Sequence, residues 1–147
     1  APHGEELMNK LVVDTNVFLD VILARQPMCE ASASVLDLSS HPEYDILMPA
    51  HSAPTIAYIV EANANRAKAR QALSLCLGIA HVATLDEATI LRGLSYDFKD
   101  TEDSFVAAIA ERERADFIIT NNIKDFALSP IAAVTPIEYL SRLASKK

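Results

Sequence analysis

Acidic residues stand far apart in this chain at places that a parallel α/β sheet would bring together. Asp14 ends the apolar run Leu11-Val12-Val13, Asp100 and Asp103 open a later helical segment, and Asp125 follows Phe117-Ile118-Ile119. Carboxylates gathered at one crevice repel, and each is pushed toward its protonated form unless a cation is present. A hard divalent ion relieves that repulsion with oxygen ligands, and Asn16 and Asn122 can add neutral oxygens. Such an ion lowers the pKa of water, orients it and offsets charge on a phosphoryl oxygen, so a phosphodiester can be hydrolysed without a Ser, Cys or His nucleophile. The leading expectation is therefore Mg²⁺- or Mn²⁺-dependent hydrolysis of the nuclease kind.

Each acid also has an ordinary structural use. Asp14 before Thr15-Asn16 suits a helix N-cap. Asp100 and Asp103 share a helical face and suit the positive end of a helix dipole. Asp125, after the turn Thr120-Asn121-Asn122, suits the cap of a short helix, and Glu102 is expected to point away from its neighbours. Rival chemistries lack their residues. A haloacid-dehalogenase-type phosphatase needs a second Asp two positions after the first, and that position is Asn16. A phosphatase on a similar sheet would show itself by turnover of small phosphomonoesters, lost in Asp14→Asn. Nucleotide-binding glycine loops are absent, and Ser52 has no GxSxG elbow. His51, at a strand exit after Pro49-Ala50, could face the crevice, although a lone histidine is more often structural or exposed; His3, His41 and His81 form no ligand pattern.

The elements that must position these residues follow from periodicity. Strands are expected over 10–14, 44–48 (stopped by Pro49), 80–83, 116–120 and 132–135. Helices are expected over 16–24, 28–38, 52–63 (with Ser52 as N-cap), 66–77 (ended by Gly78), 87–92, 101–114 and 136–143. Strands separated by helices give βαβ crossovers, hence an α/β fold with a mostly parallel sheet of four to five strands covered on both faces. Ligands on such sheets collect at the carboxyl ends of the strands, where strand order reverses.

With 147 residues, half of them apolar, the chain reads as one domain over 8–143. Residues 1–7 read as a processed or engineered leader, or as a disordered N-terminus, ahead of a natural start at Met8. Cys29 and Cys76 lack metal or CxxC spacing and read as buried free thiols suited to a reducing, cytoplasmic setting. No stretch is long and apolar enough for a membrane span, so no membrane partner is expected. The net charge of −7 is unusual for a nucleic-acid binder and compatible with carboxylate metal binding. Glu111, Arg112, Glu113 and Arg114 read as a solvated helix face, as do Arg66, Lys68 and Arg70.

Three blocks and the tail resemble the PIN-domain family, and within it the toxin-type (VapC-like) ribonucleases. They are Val12-Val13-Asp14-Thr15-Asn16-Val17-Phe18-Leu19-Asp20, then Phe98-Lys99-Asp100-Thr101-Glu102-Asp103-Ser104-Phe105, then the run from Ala115 to Phe126, and finally Val134-Thr135-Pro136-Ile137-Glu138-Tyr139-Leu140. The resemblance implies a three-layer α/β/α sandwich and metal-dependent cleavage of RNA. Asp14 and Asp103 match the family's metal-binding acids, with Asp100 beside them. The family's last acid falls at a Thr-x-Asp/Asn turn, here Thr120-Asn121-Asn122, where Asn122 takes its place and Asp125 is the substitute three residues on. The resemblance further implies a homodimer and an antitoxin partner, for which a basic segment would suit the acidic crevice. The chain departs from the family in one respect. An acid is expected in the helix after the second strand, where this sequence has Thr55 or Tyr58, with Glu61 the nearest acid. Fewer carboxylates imply weaker metal binding, and the alternative reading is a weak or inactive PIN-like module that binds RNA or protein.

Overall fold

Leu11, Val12 and Val13 are wholly buried and form the core of the first strand, β1 (Asn9–Val13). Four strands join it: β2 (Tyr44–Pro49), β3 (His81–Ala83), β4 (Phe117–Ile119) and β5 (Ala133–Val134). The computed structural model describes residues 8–146, so the expectation for residues 1–7 lies outside the described residues. The strands run in the order β3-β2-β1-β4-β5, and every neighbouring pair is parallel. Among the described residues, seven helices cover the sheet: α1 (Thr15–Ile22), α2 (Cys29–Leu36), α3 (Ser52–Asn63), α4 (Arg66–Ile79), α5 (Glu87–Leu94), α6 (Thr101–Glu113) and α7 (Pro136–Ser145). The three-layer α/β/α sandwich with a parallel central sheet is therefore the observed fold.

A parallel sheet buried on both faces needs apolar residues at successive positions, not alternating ones. Leu11 and Val13 pack with Ile46, Met48 and Ile119 into the core under α1 to α4 and α7. Val12, Leu47 and Ile118 face the opposite core, which α6 closes with Val106, Ala107, Ile109 and Ala110. Each fully buried aliphatic side chain contributes about 1.5–3 kcal/mol. The chain moves from β1 to β2 and β3 on one side, then returns to place β4 and β5 on the other. Strand order thus reverses between β1 and β4, and the crevice beyond their carboxyl ends is the natural ligand position.

Several boundaries differ from the sequence reading, each for a local reason. Pro49 does not stop β2 short but is its last residue, paired in register with Ala83. Ser52 is not the N-cap of α3; His51 holds that position, and the buried Ser52 hydroxyl bonds the Thr15 hydroxyl at 2.7 Å, tying α3 to the start of α1. Gly78 does not end α4, which continues to Ile79. The helix expected over 28–38 ends at Leu36 and tightens into a 3₁₀ turn, Asp37–Ser40. The expected solvated face of α6 is partly a tertiary contact: Glu111 receives Arg92 Nε at 2.7 Å and Arg92 Nη2 at 3.1 Å, while Arg112 Nη1 donates to Thr84 O and Thr89 Oγ1, both at 2.8 Å. Both cysteines are free, but only Cys76 is buried and Cys29 is half-exposed. Among the described residues, no helix is long and apolar enough to cross a membrane.

The two described glycines make opposite predictions. A Cβ at Gly78 would meet nothing within 4 Å, so Gly78→Ala removes backbone freedom without a clash and should raise stability by up to about 1 kcal/mol. A Cβ at Gly93 would already lie 3.0 Å from Phe105 Cδ1 and 3.1 Å from the Ser104 carbonyl oxygen, where α5 crosses α6. The larger Gly93→Val should therefore lower stability by about 1–3 kcal/mol, and paired urea melts would measure both shifts.

Candidate active site

Three segments carry the acids of the site: the turn after β1, the turn after β4 and the first turn of α6. The Asp14 N–H still belongs to the sheet, donating to Ile119 O at 2.9 Å, while its side chain caps α1 by accepting from Thr15 N at 2.9 Å. The other carboxylate oxygen accepts from Thr120 Oγ1 at 2.8 Å and from Asn16 Nδ2 at 3.3 Å. Asp14 is only 6% exposed, and burial is the main cause that raises its pKa; the hydrogen bonds oppose the shift and Asp100 adds to it. Thr120 is wholly buried and in turn accepts the Asn122 N–H at 3.1 Å, which sets the turn leading to Asp125.

On the facing wall, Asp100 caps α6 by accepting from Asp103 N at 3.1 Å. The N-cap use expected of Asp14 is therefore real, Asp100 is an N-cap as well, and both uses coexist with a shared location. A cleft of about 220 Å³ is lined by Asp14, Asn16, Asp100, Asp103, Asn122 and Asp125 together with Thr15, Leu19, His51, Glu102 and Val106. Asp103 shows how closely the charges interact. Its pKa is raised to about 7, first by burial and then by Asp14, Asp100, Asp125 and Glu102.

Some placements differ from the sequence reading. Asn121 does not line this cleft; it donates to the buried Asp20 at 2.5 Å and borders a separate cavity with Met28, Ala31 and Pro136. Glu102, expected to point away, lines the cleft. His51 lines it too, half-buried and edge-on to Phe105, with ring centroids 6.0 Å apart. Burial lowers the His51 pKa, and Glu102 pulls it back up. The sequence signal for His51 was its position at a strand exit, which is where crevice residues arise. Helix α3 adds no acid to the cleft: Thr55 donates to His51 O at 3.3 Å, while Tyr58 and Glu61 are exposed.

The donor chemistry fits a hard divalent ion. The groups are oxygen ligands that repel one another, and Asn16 Oδ1 is buried with no hydrogen-bond partner. The carboxylates are not, however, gathered into a finished coordination shell. Among the described residues, no three His, Cys, Asp or Glu side chains stand close enough to hold one ion. The two observations agree because charges act on one another across a cleft, whereas ligand bonds to a divalent ion span only about 2.0–2.6 Å.

The raised pKa of Asp103 has a consequence for stability. Its carboxyl holds a proton more tightly folded than unfolded, so it favours the fold at low pH, and that contribution is lost as pH rises from 3.8 through about 7. Chelator-treated protein should therefore lose melting temperature between about pH 5 and about pH 8, and Asp103→Asn should shrink the difference. An equal difference in the variant would show that other groups carry it.

The family model described as "PIN domain" matches residues 10–124. No curated protein matches the chain. Among solved structures, DNA-bound VapBC from Salmonella typhimurium aligns with a TM-score of 0.70 at 16% identity, covering 88% of this chain and 99% of that one. A toxin–antitoxin complex from Klebsiella pneumoniae aligns with a TM-score of 0.66 at 22% identity, covering 86% and 97%. VapC20 from Mycobacterium tuberculosis, a sarcin-ricin loop cleaving toxin, aligns with a TM-score of 0.59 at 11% identity, covering 74% and 86%. At these identities the structures speak for the fold, and together with a family match that spans most of the sequence they have one meaning: the chain belongs to the PIN-domain family.

Proposed function

We propose that this protein is a divalent-metal-dependent endoribonuclease, a cytoplasmic hydrolase of RNA phosphodiesters, and the toxin of a toxin–antitoxin pair. The observation that carries the reading is that Asp14, Asp100, Asp103 and Asp125 line one cleft at the β1/β4 switch point, where burial first and then the neighbouring acids raise the Asp103 pKa to about 7. Mg²⁺ or Mn²⁺ would be held by Asp14, Asp100 and Asp103, with Asp125, Asn122 and Asn16 assisting. Bound there, the ion would offset charge on a phosphoryl oxygen and make water more acidic. The chain's own residues supply orientation. Thr120, Thr15 and Asn16 hold the Asp14 carboxylate in one pose, and Asp100 holds the first turn of α6, which carries Asp103.

The partners follow from the family and the surface. Similar structures include toxin–antitoxin complexes, and we assign this chain an antitoxin partner as well. A basic segment of it would complement the acidic cleft. An apolar groove of about 430 Å³ between α1, α3 and α4, bordered by Phe18, Val60, Ala72 and Leu75, would suit an apolar helix face. A homodimer is part of the same reading, supported by the exposed Leu91 and Leu94 on α5. The missing acid on α3 and the unassembled coordination shell favour a second reading, a PIN-like module that binds RNA or protein with little or no cutting.

Metal titration separates the two readings. Mn²⁺ should raise the melting temperature of the wild-type protein and support cleavage of a mixed RNA pool, and EDTA should abolish both effects. Asp103→Asn should reduce cleavage by more than about a hundredfold with an unchanged circular-dichroism spectrum. If Mn²⁺ gives neither stabilisation nor cleavage, the binding module replaces the nuclease.

A further inference from the structure

We propose that His51 donates a hydrogen bond from Nε2 to a non-bridging phosphate oxygen of the nucleic-acid substrate. The inference rests on the nuclease reading and deepens it. The chain leaves β2 at Pro49, Ala50 is pinned to the neighbouring strand by its N–H on Ala83 O at 2.8 Å, and His51 then takes the N-cap position of α3. Its ring packs edge-on against Phe105 of α6, with an interplanar angle of 83°. The imidazole is thus fixed between two helices on the wall of the acid cleft.

Two observations assign it a ligand. First, Nδ1 is buried and has no hydrogen-bond partner. An N–H stranded there would cost more than a bare lone pair, because orphaned buried donors are rarer than under-used acceptors. The neutral ring therefore carries its proton on Nε2, and Nε2 is not among the buried unpartnered atoms. Second, the cleft is poor in donors. Among the described residues, no Lys or Arg lines it. The Thr15 hydroxyl is engaged with Ser52 Oγ at 2.7 Å, and the Asn16 amide donates to Asp14. A phosphodiester entering a wall of carboxylates needs donors for its oxygens, and a bond to a charged oxygen is among the stronger ones. His51 offers one from a ring fixed against Phe105, beside the side-chain amide of Asn122. Metal ligation is the weaker assignment, since the oxygen-rich lining suits Mg²⁺ or Mn²⁺, which favour carboxylate and carbonyl oxygens over an imidazole nitrogen.

The test measures binding rather than turnover. A labelled single-stranded RNA is titrated with wild-type protein and His51 variants in Ca²⁺, with fluorescence anisotropy as readout. His51→Ala should weaken binding about tenfold. His51→Gln, whose amide nitrogen reaches the place of Nε2, should recover most of the loss, while His51→Asn, which mimics Nδ1, should not. The Mn²⁺-induced rise in melting temperature should be the same in all four proteins. Wild-type affinity in His51→Ala, or equal affinities for the Gln and Asn variants, would overturn the assignment. A smaller Mn²⁺ shift in His51→Ala would make the residue a metal ligand instead. Wild-type protein that responds to Mn²⁺ but binds no RNA would sink the ribonuclease reading itself, and the role of His51 with it.

Discussion

The bond from Thr120 Oγ1 to Asp14 Oδ2 joins the ends of two adjacent strands inside the protein, and the arrangement of the acid cleft depends on it. Asp14 is almost completely buried, and a carboxylate taken out of water without partners would take up a proton instead. Three donors, the Thr15 N–H, the Thr120 hydroxyl and the Asn16 amide, oppose that shift and fix the direction of the group. The Thr120 hydroxyl has one proton to give. With it committed to Asp14, its lone pair is free to receive the Asn122 N–H. One side chain therefore orients the first acid and shapes the turn that delivers Asn122 and Asp125 to the same cleft. The parallel register between Val13 and Ile119 makes this possible, because it brings the residues after β1 and β4 level with each other.

What was legible in the sequence was what depends on runs and caps. The apolar runs at 11–13 and 117–119 announce strands buried on both faces, and Thr135-Pro136-x-Glu138 announces α7 by a capping box that the structure contains. Less legible were side-chain directions at element ends. The contacts alternate past the end of β4: Thr120 bonds Asp14 and Asn122 lines the cleft, while Asn121 between them reaches Asp20. A count by twos would have separated them. Helical spacing turns Glu102 away from its neighbours, yet it lines the cleft, because side chains in a first turn lean back toward the N-terminus and converge on the cap. Gly78 was read as a stop from its residue type alone, yet the backbone there is ordinary helix and nothing about the position requires glycine. Pro49 is tolerated because it closes its strand rather than interrupting it.

The acids of the cleft are a compromise between folding and binding. Pulling several carboxylates into a ready coordination shell would set like charges a few ångströms apart in a half-dry site, at a cost of several kcal/mol at an effective dielectric constant of about 20. Here the repulsion is limited in two ways. The acids stay spread around the cleft, and Asp103 holds its proton up to about pH 7. A cation would have to displace that proton, so ion binding and proton release are linked. Asp14 contributes differently: it is already committed to three local hydrogen bonds and offers a fixed anchor rather than a mobile ligand.

The altered position on α3 belongs to the same balance. Thr55 turns its hydroxyl back onto the helix at His51 O, and Tyr58, 76% exposed, is turned out to solvent, so neither brings charge to the cleft. The group that the β2–α3 turn does bring is an imidazole. A neutral ring adds no repulsion to a site where burial and the neighbouring acids already raise the Asp103 pKa to about 7. It also adds no charge to attract a cation, since ion affinity follows the charge of the ligand set. In return the wall gains what carboxylates cannot provide, an N–H for an anionic oxygen. On the proposed reading, a site built this way would rely less on metal charge and more on direct hydrogen bonding to position a phosphodiester.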